Sequence, residues 1–534
     1  MISTSKLNLP LREGVPVWLG VVTVFAALMP MLMVNGAYTG CAVDVSGTLG
    51  AMSEDIMMTY YSTAAGMAIG YPAVRKLRVA STPKATILTG LTLQALLSVV
   101  CAHATMIEVM MTASVIIGFL KSFVIFESVV LIRPFFTPDS VRSEFYAWFY
   151  PMAFGIGQLS VAVTAQMAYY YNWQYIYYLV LLMILVAIIL VMCCFRYMPR
   201  PTIPLWRNVD WHSIVLIATV MMMVIYLVTY GRTLDWFASW RLRVLAILIP
   251  PLTLLFFLRQ RDNKGHFVRL QIFSRFKLII GYVFIFLAMM FATTNVLVTR
   301  YMNQVLHIDS LHANFLCMWM VPGFIVGGTA CFWFFRWQPF RFRYFVSIGM
   351  MAYVVYLSLI YFGVSSDATY ESLRLPMFFR GLGMIMLFIS LALLVVEDLT
   401  PDIISSNTLF MVGLRSAIAP AVSSSLFTNW LYHLQVSSIS KLAVDMRADL
   451  PLFFEDYSSR LSSAQQAGHS LTDATLLSNN AFIGTLQQQA SLVGIKEIIG
   501  WMLLLAIAVT IISMFIPFHT TKRVPLVRTG DDMV

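Results

Sequence analysis

Apolar runs of about twenty residues alternate with short polar connections along almost the whole chain, from Val17 to Pro517. Fourteen can be marked: 17–37, 56–75, 85–105, 109–132, 145–168, 173–195, 212–230, 242–258, 278–299, 311–335, 344–363, 375–396, 404–432 and 495–517. One helical crossing of a bilayer needs roughly 20 apolar residues, and only helices or closed barrels satisfy the main chain inside lipid. The runs are too long and too continuously apolar for barrel strands. The pattern predicts an all-α polytopic membrane protein with 14 transmembrane helices.

Two connections depart from the short form. One is the basic segment Arg259–Lys277 after the eighth run; the other spans residues 433–494 before the last. In the second, Leu442, Met446 and Leu450, and later Leu476, Phe482 and Leu486, recur at approximate helical spacing. Helices extending the last two spans are expected there.

Composition fits this picture: 59% of residues are hydrophobic and 11% charged, against roughly 25% charged in soluble domains. The net charge of +10 raises a nucleic-acid reading, which its distribution removes. With the N-terminus inside, twenty-three Lys and Arg fall in inner connections and nine in outer ones. That is the positive-inside pattern, and it predicts a multi-pass protein with both termini in the cytoplasm. Residues 1–15 are polar and lead straight into a full span, so no cleavable signal peptide is expected. The six cysteines lie in or beside apolar runs without metal-ligand spacing and read as small core residues. Tyr169, Tyr170, Tyr171, Trp173, Tyr175, Tyr177 and Tyr178 read as a headgroup belt.

Ionisable residues inside spans are functional candidates because charge in hydrocarbon is costly. Lys121 and Glu127 lie in the fourth run, Arg380 in the twelfth and Arg415 in the thirteenth. Arg415 is 13 residues beyond Asp402, a rise of roughly 19 Å, which puts it near the midplane. These charges either pair across helices and hold the bundle together, or line a polar cavity that binds a charged or amphipathic solute. Glu127 is the candidate for a group that changes protonation during transport. Asn35, Gln158 and Asn295 are candidates for neutral polar contacts. Pro151, Gly155 and Gly157 in the fifth run, Pro250 and Pro251 in the eighth, and Pro322, Gly323, Gly327 and Gly328 in the tenth are expected to interrupt or flex their helices. No phosphate-binding loop, zinc motif or nucleophile elbow is present, so no cofactor and no metal are expected. His307 and His312 read as solvated.

Several short stretches carry a family resemblance: Asp210; Gly231-Arg232 with Asp235-Trp236-Phe237; Leu270 to Phe273 leading to Gly281; Val321-Pro322-Gly323; Arg380-Gly381 with Gly383; Pro401 and Arg415; and Gln487-Gln488-Gln489-Ala490. In this order they resemble the fourteen-helix drug:proton antiporters of the major facilitator superfamily, the EmrB/QacA type. The resemblance implies a 6+2+6 major facilitator fold: a six-helix bundle at 1–205, two inserted helices at 206–265, and a second bundle at 266–534 carrying the long extracytoplasmic connection. It implies multidrug-type export of amphipathic or lipophilic small molecules from the inner membrane by alternating access, driven by protons. It further implies a periplasmic adaptor and an outer-membrane channel as partners, besides the lipid bilayer. Some family positions differ: the acidic residue of the first span falls at Val34 beside Asn35, the basic residue of the fourth falls at Ser114, and the loop at Gly70–Lys76 lacks its Asp. Two rival readings are a non-transporting receptor or scaffold using 433–494, and an intramembrane lipid-modifying enzyme. The enzyme would need clustered histidines or a nucleophile, and the eight histidines are scattered.

Overall fold

The computed structural model describes residues 9–77, 81–137, 141–198, 210–262, 267–337, 341–396, 399, 401–445, 451–468 and 470–516. The first part holds α1 (Val17–Met33), α2 (Ala42–Leu49), α3 (Ser53–Leu77), α4 (Pro83–Ala102), α5 (Ile107–Phe136), α6 (Arg142–Tyr170) and α7 (Tyr175–Cys194). Next come α8 (Trp211–Thr229) and α9 (Trp240–Asp262). The remainder is α10 (Phe276–Thr293), α11 (Asn295–Gln304), α12 (Ser310–Phe315), α13 (Met320–Trp337), α14 (Phe342–Gly363), α15 (Arg374–Val396), α16 (Pro401–Gly413), α17 (Ala419–Asp445), α18 (Pro451–Gln466) and α19 (Leu471–Phe515). A π-helical turn, Leu414–Ile418, joins α16 to α17.

Local chemistry sets several helix starts. Thr82 caps α4 by accepting from the Ala85 amide, with Pro83 at the first helical position. Ser470 does the same for α19 through Asp473. Asp210 caps α8 through Ser213 and also takes a 2.9 Å ion pair from Arg259 of α9. Burial raises the Asp210 pKa, but the hydrogen bonds from Arg259 and Ser213 outweigh it and hold the carboxyl at about 2. This clasp fixes α9 to α8.

Among the described residues, eleven helical segments are long and apolar enough to cross a membrane. The expected runs that fall short coincide with α1, α3 and α6. α1 stops early, and α3 and α6 carry more polar residues, Thr63 and Gln158 among them. All three border the central cavity described below.

Apolar side chains gather in three clusters. One joins residues of α1 through α7, with Val24, Leu28, Ile117 and Ile184 fully buried. A second joins α10 through α17 with α19 and takes in Ala147 and Tyr150 of α6. The third packs α8 against α3, with Phe256 of α9 and Leu409, Val412, Ala417 and Ala421 of the α16–α17 region. Tight helix crossings recur in the first two parts: a Cβ at Gly118 of α5 would overlap the Thr63 carbonyl of α3, and one at Gly381 of α15 would overlap the Met320 carbonyl of α13. Only glycine permits that approach.

Several expectations need correction. α6 and α9 run unbroken through Pro151, Gly155, Gly157, Pro250 and Pro251, and a side chain at Gly155 or Gly157 would meet open space. In the tenth run the irregular turn is Leu316–Trp319, ahead of Pro322. Trp173 and Tyr177 leave the aromatic belt for the core, at 3% and 2% exposure; Tyr177 donates to the Gly36 carbonyl at 2.7 Å and Trp173 packs edge-on against its ring. Cys193 is exposed, whereas Cys41, Cys101, Cys194 and Cys331 are buried. His307 and His312 are exposed, in line with the solvated reading, and His312 pairs with Asp309 at 2.5 Å at the surface.

The long connection is largely helical. α17 and α19 extend into it, and α18 packs along α19. Its 45 residues make α19 about 67 Å long, against a hydrocarbon core of about 30 Å. The packed positions are small, Ala474 and Ser478, while Leu476 is exposed, contrary to the apolar spacing read from the sequence. Met446 and Leu450 lie outside the described residues, as does the side chain of Leu442.

Candidate functional site

α1 cannot run through the bundle. It ends at Met33, and residues 34–38 form a non-helical break, bent at Gly36 and Ala37, before a short turn and α2. Main-chain groups freed inside a membrane protein must find partners in the protein, and three neighbouring helices supply them. Lys121 Nζ of α5 donates to the Val34 carbonyl at 2.9 Å and to Asn35 Oδ1 at 3.5 Å. The Gly36 amide donates to Thr63 Oγ1 of α3 at 3.2 Å, and Tyr177 of α7 takes the Gly36 carbonyl. Ser114, where the resemblance expects a basic residue, is buried against Gly36 with no room for a long side chain.

Beside this break lies a cavity of about 370 Å³. Asn35, Tyr38, Thr63, Tyr71 and Lys121 line it from α1's break, α3 and α5. α6 adds one helical stripe, Tyr150, Phe154, Gly157, Gln158 and Val161. The opposite wall is Met289 of α10, Met384 and Phe388 of α15, Arg415 and Ser416 of the π-helical turn, and Pro420 of α17. The wall therefore comes from both of the larger apolar clusters. Two cations face it, and none of its described lining residues is acidic.

Arg415 sits among aromatic rings. Its guanidinium carbon lies 5.4 Å from the Tyr150 ring, 5.6 Å from Phe154 and 5.4 Å from Phe388. Phe154 and Phe388 stack at 5.2 Å across the two parts of the bundle. Arg415 Nε is sequestered from solvent and has no hydrogen-bond partner among the described residues. A π-helical turn often accompanies functional sites, and here it presents this side chain.

Of the residues singled out from the sequence, Lys121, Arg415, Asn35 and Gln158 come together at the cavity. Glu127, Arg380 and Asn295 do not line it. Glu127 is fully buried; six residues from Lys121 on one helix is about 240° around the axis, which turns it from the cavity side. Arg380 lies one turn before Met384, beyond the cavity's level, where Nε and Nη2 donate to the Ala292 carbonyl at 3.0 and 2.8 Å. This carbonyl belongs to the last turn of α10, which breaks at Thr294 before α11. Asn295 starts α11 and turns its amide toward Thr299 at 3.5 Å.

Sequence reasoning missed the aromatic wall of Tyr71, Tyr150, Phe154 and Phe388. The signal available was the spacing of Tyr146, Tyr150 and Phe154 at every fourth position on one helix. It did not stand out in a chain with 38 Phe and 24 Tyr.

The family model described as Major Facilitator Superfamily matches residues 19–424. No curated protein matches the chain. Among solved structures, the peptide transporter POT in complex with sulfate is similar at a TM-score of 0.53 and 15% identity, covering 95% of this chain and 97% of that one. Tetrameric PepTSo2 is similar at 0.53 and 12% identity, covering 93% and 97%. The nucleoside transporter NupG gives 0.49 and 11% identity, covering 93% and 99%. At such identities the likeness is one of fold. With the family match over most of its length, all-helical architecture and membrane-crossing helices, this chain belongs to the major facilitator superfamily and is a membrane transporter rather than an enzyme.

Proposed function

We propose that the protein is a secondary active exporter of amphipathic or lipophilic small molecules, working by alternating access and driven by protons. The observation that carries this reading is one mixed polar and aromatic cavity lined from both larger apolar clusters, Tyr38 and Ile125 from one and Tyr150, Met384 and Phe388 from the other. Rocking of the two parts about that space would expose it to either side in turn. The volume falls in the roughly 300–1,000 Å³ range of small-molecule sites.

The reading takes all fourteen runs as crossings, with α1 cut short by the break beside the cavity and α3 and α6 less apolar because one side of each faces it. It divides the chain into bundles at 1–205 and 266–534 with α8 and α9 inserted at 206–265, as in the fourteen-helix drug:proton antiporters. Recurrence supports the division: a basic residue holds the broken end of both α1 and α10, and a glycine sits at both the α3–α5 and α13–α15 crossings. The charge distribution supports an inner-membrane protein with both termini cytoplasmic. The α17–α19 region would project outward, where a periplasmic adaptor leading to an outer-membrane channel could dock. Glu127, buried behind the wall on the helix that carries Lys121, is the proposed proton-exchanging group.

Purified protein in liposomes tests this with an imposed pH gradient and a panel of labelled amphiphiles. Uphill movement is expected in the native protein, and Glu127→Gln should keep downhill movement while losing the gradient-driven part. Gradient-driven export unchanged in Glu127→Gln overturns the coupling role. Silence toward every solute overturns the exporter reading in favour of a receptor or scaffold.

A further inference from the structure

We infer that the solute is an organic anion, an amphiphile whose single carboxylate or similar oxyanion sits on the Arg415 guanidinium while its apolar body lies against the Phe154–Phe388 stack. This rests on the reading of the same cavity as a transport site and adds the charge of what it carries.

Arg415 is the reason. A guanidinium stays charged and offers five N–H donors, yet Nε is buried without a partner and the group faces ring faces on three sides. Cation–π attraction offsets only part of the desolvation of such a group. An oxyanion supplies what is missing, because carboxylates pair with guanidinium through two parallel hydrogen bonds.

Charge balance points the same way. Lys121 and Arg415 face the space, and no described lining residue opposes them. A cationic amphiphile would enter against two like charges, and a neutral one would offer the Arg415 donors no charge-assisted, two-pronged acceptor. Lys121 is the lesser anchor, since it already donates to Val34 and Asn35. The stacked rings offer a flat apolar surface, and the volume limits the solute to a small amphiphile.

Three probes that share one ring system test the inference: naphthalene-2-acetate, its primary amide, and 2-naphthylethylammonium. Binding to the full-length protein in nanodiscs is measured by calorimetry. The native protein should prefer the acid over the amide by at least about tenfold, as expected for a hydrogen bond to a charged group, and bind the ammonium most weakly. Arg415→Gln should abolish that preference while leaving amide affinity within about twofold. If Arg415→Gln does not fold, Arg415→Lys decides, since it keeps the charge and removes the two-pronged geometry; the acid should then weaken several-fold and the amide should not. Equal binding of acid and amide to the native protein, absent acid binding, or acid affinity untouched by either variant overturns the inference. Flux of the acid in liposomes is read separately: acid bound through Arg415 but never carried removes the exporter reading and leaves the anion site standing.

Discussion

Lys121 and Arg380 perform the same task at two helix breaks: one holds the Val34 carbonyl past the end of α1, the other the Ala292 carbonyl at the end of α10. Each cation sits on a helix that crosses a neighbour through a glycine, Gly118 and Gly381 respectively. The charges are spent differently. Arg380 is turned wholly to its break and the Met320 and Met377 sulfurs, whereas Lys121 also faces the cavity.

If these contacts are chiefly structural, Lys121→Met and Arg380→Met should each destabilise the protein by about 1–3 kcal/mol, the cost of orphaning a buried acceptor. The two losses should add to within about 0.5 kcal/mol, as for distant independent sites. Unfolding in detergent followed by tryptophan fluorescence measures both. A strongly non-additive double variant would show that the two breaks are coupled.

Gly328 of α13 meets Ala147 and Pro151 of α6 so closely that a Cβ would overlap them. Gly328→Val should wedge that contact open. In a cysteine-free background, a reporter introduced as Gln158→Cys should then be alkylated by a water-soluble maleimide several-fold faster than without the wedge. An unchanged rate would mean that the α6–α13 contact does not gate the cavity.

Four of the seven polar candidates reach the cavity, because an ionisable or amide group within an apolar run is rare enough to read from sequence. The same rule captured Glu127, Arg380 and Asn295, which face other tasks. A buried charge announces that it lies inside; it does not say at which level or toward which side, and each residue step turns a helix by 100°. The breaks were harder. Asn35-Gly36 marks one, but Pro151 and Pro250 sit in continuous helices, so a proline in an apolar run did not mark a break. The cavity's aromatic wall carried no contrast at all, because phenylalanine and tyrosine serve equally well against lipid.

The Asp210–Arg259 clasp gives a pH signature. The carboxyl, held at about 2 against an ordinary 3.8, binds fewer protons folded than unfolded between those values. Its contribution is therefore fully present above pH 4 and disappears as pH falls toward 2. The difference in thermal midpoint between the native protein and Asp210→Asn should be constant from pH 5 to 8 and shrink below 4. A difference that grows on acidification would contradict the clasp.

On α19, Ala474 is fully buried and Leu476 is 61% exposed. Ala474→Leu should overpack the α18–α19 contact by about 1–3 kcal/mol and speed proteolysis near residues 451–468. Leu476→Ser should change stability by less than about 0.5 kcal/mol. The reverse ranking would mean that the helical pair uses its larger apolar side chains instead.

The π-helical turn at Leu414–Ile418 holds one more residue than an α-helical path of the same rise. Everything beyond Ile418 is thereby rotated by about 100° relative to the phase set before Gly413. Removing Ser416 would let a continuous α-helix form and swing Arg415's neighbours to a new azimuth without shortening either flanking helix. The thirteenth apolar run thus carries a register slip, and the guanidinium rides on it.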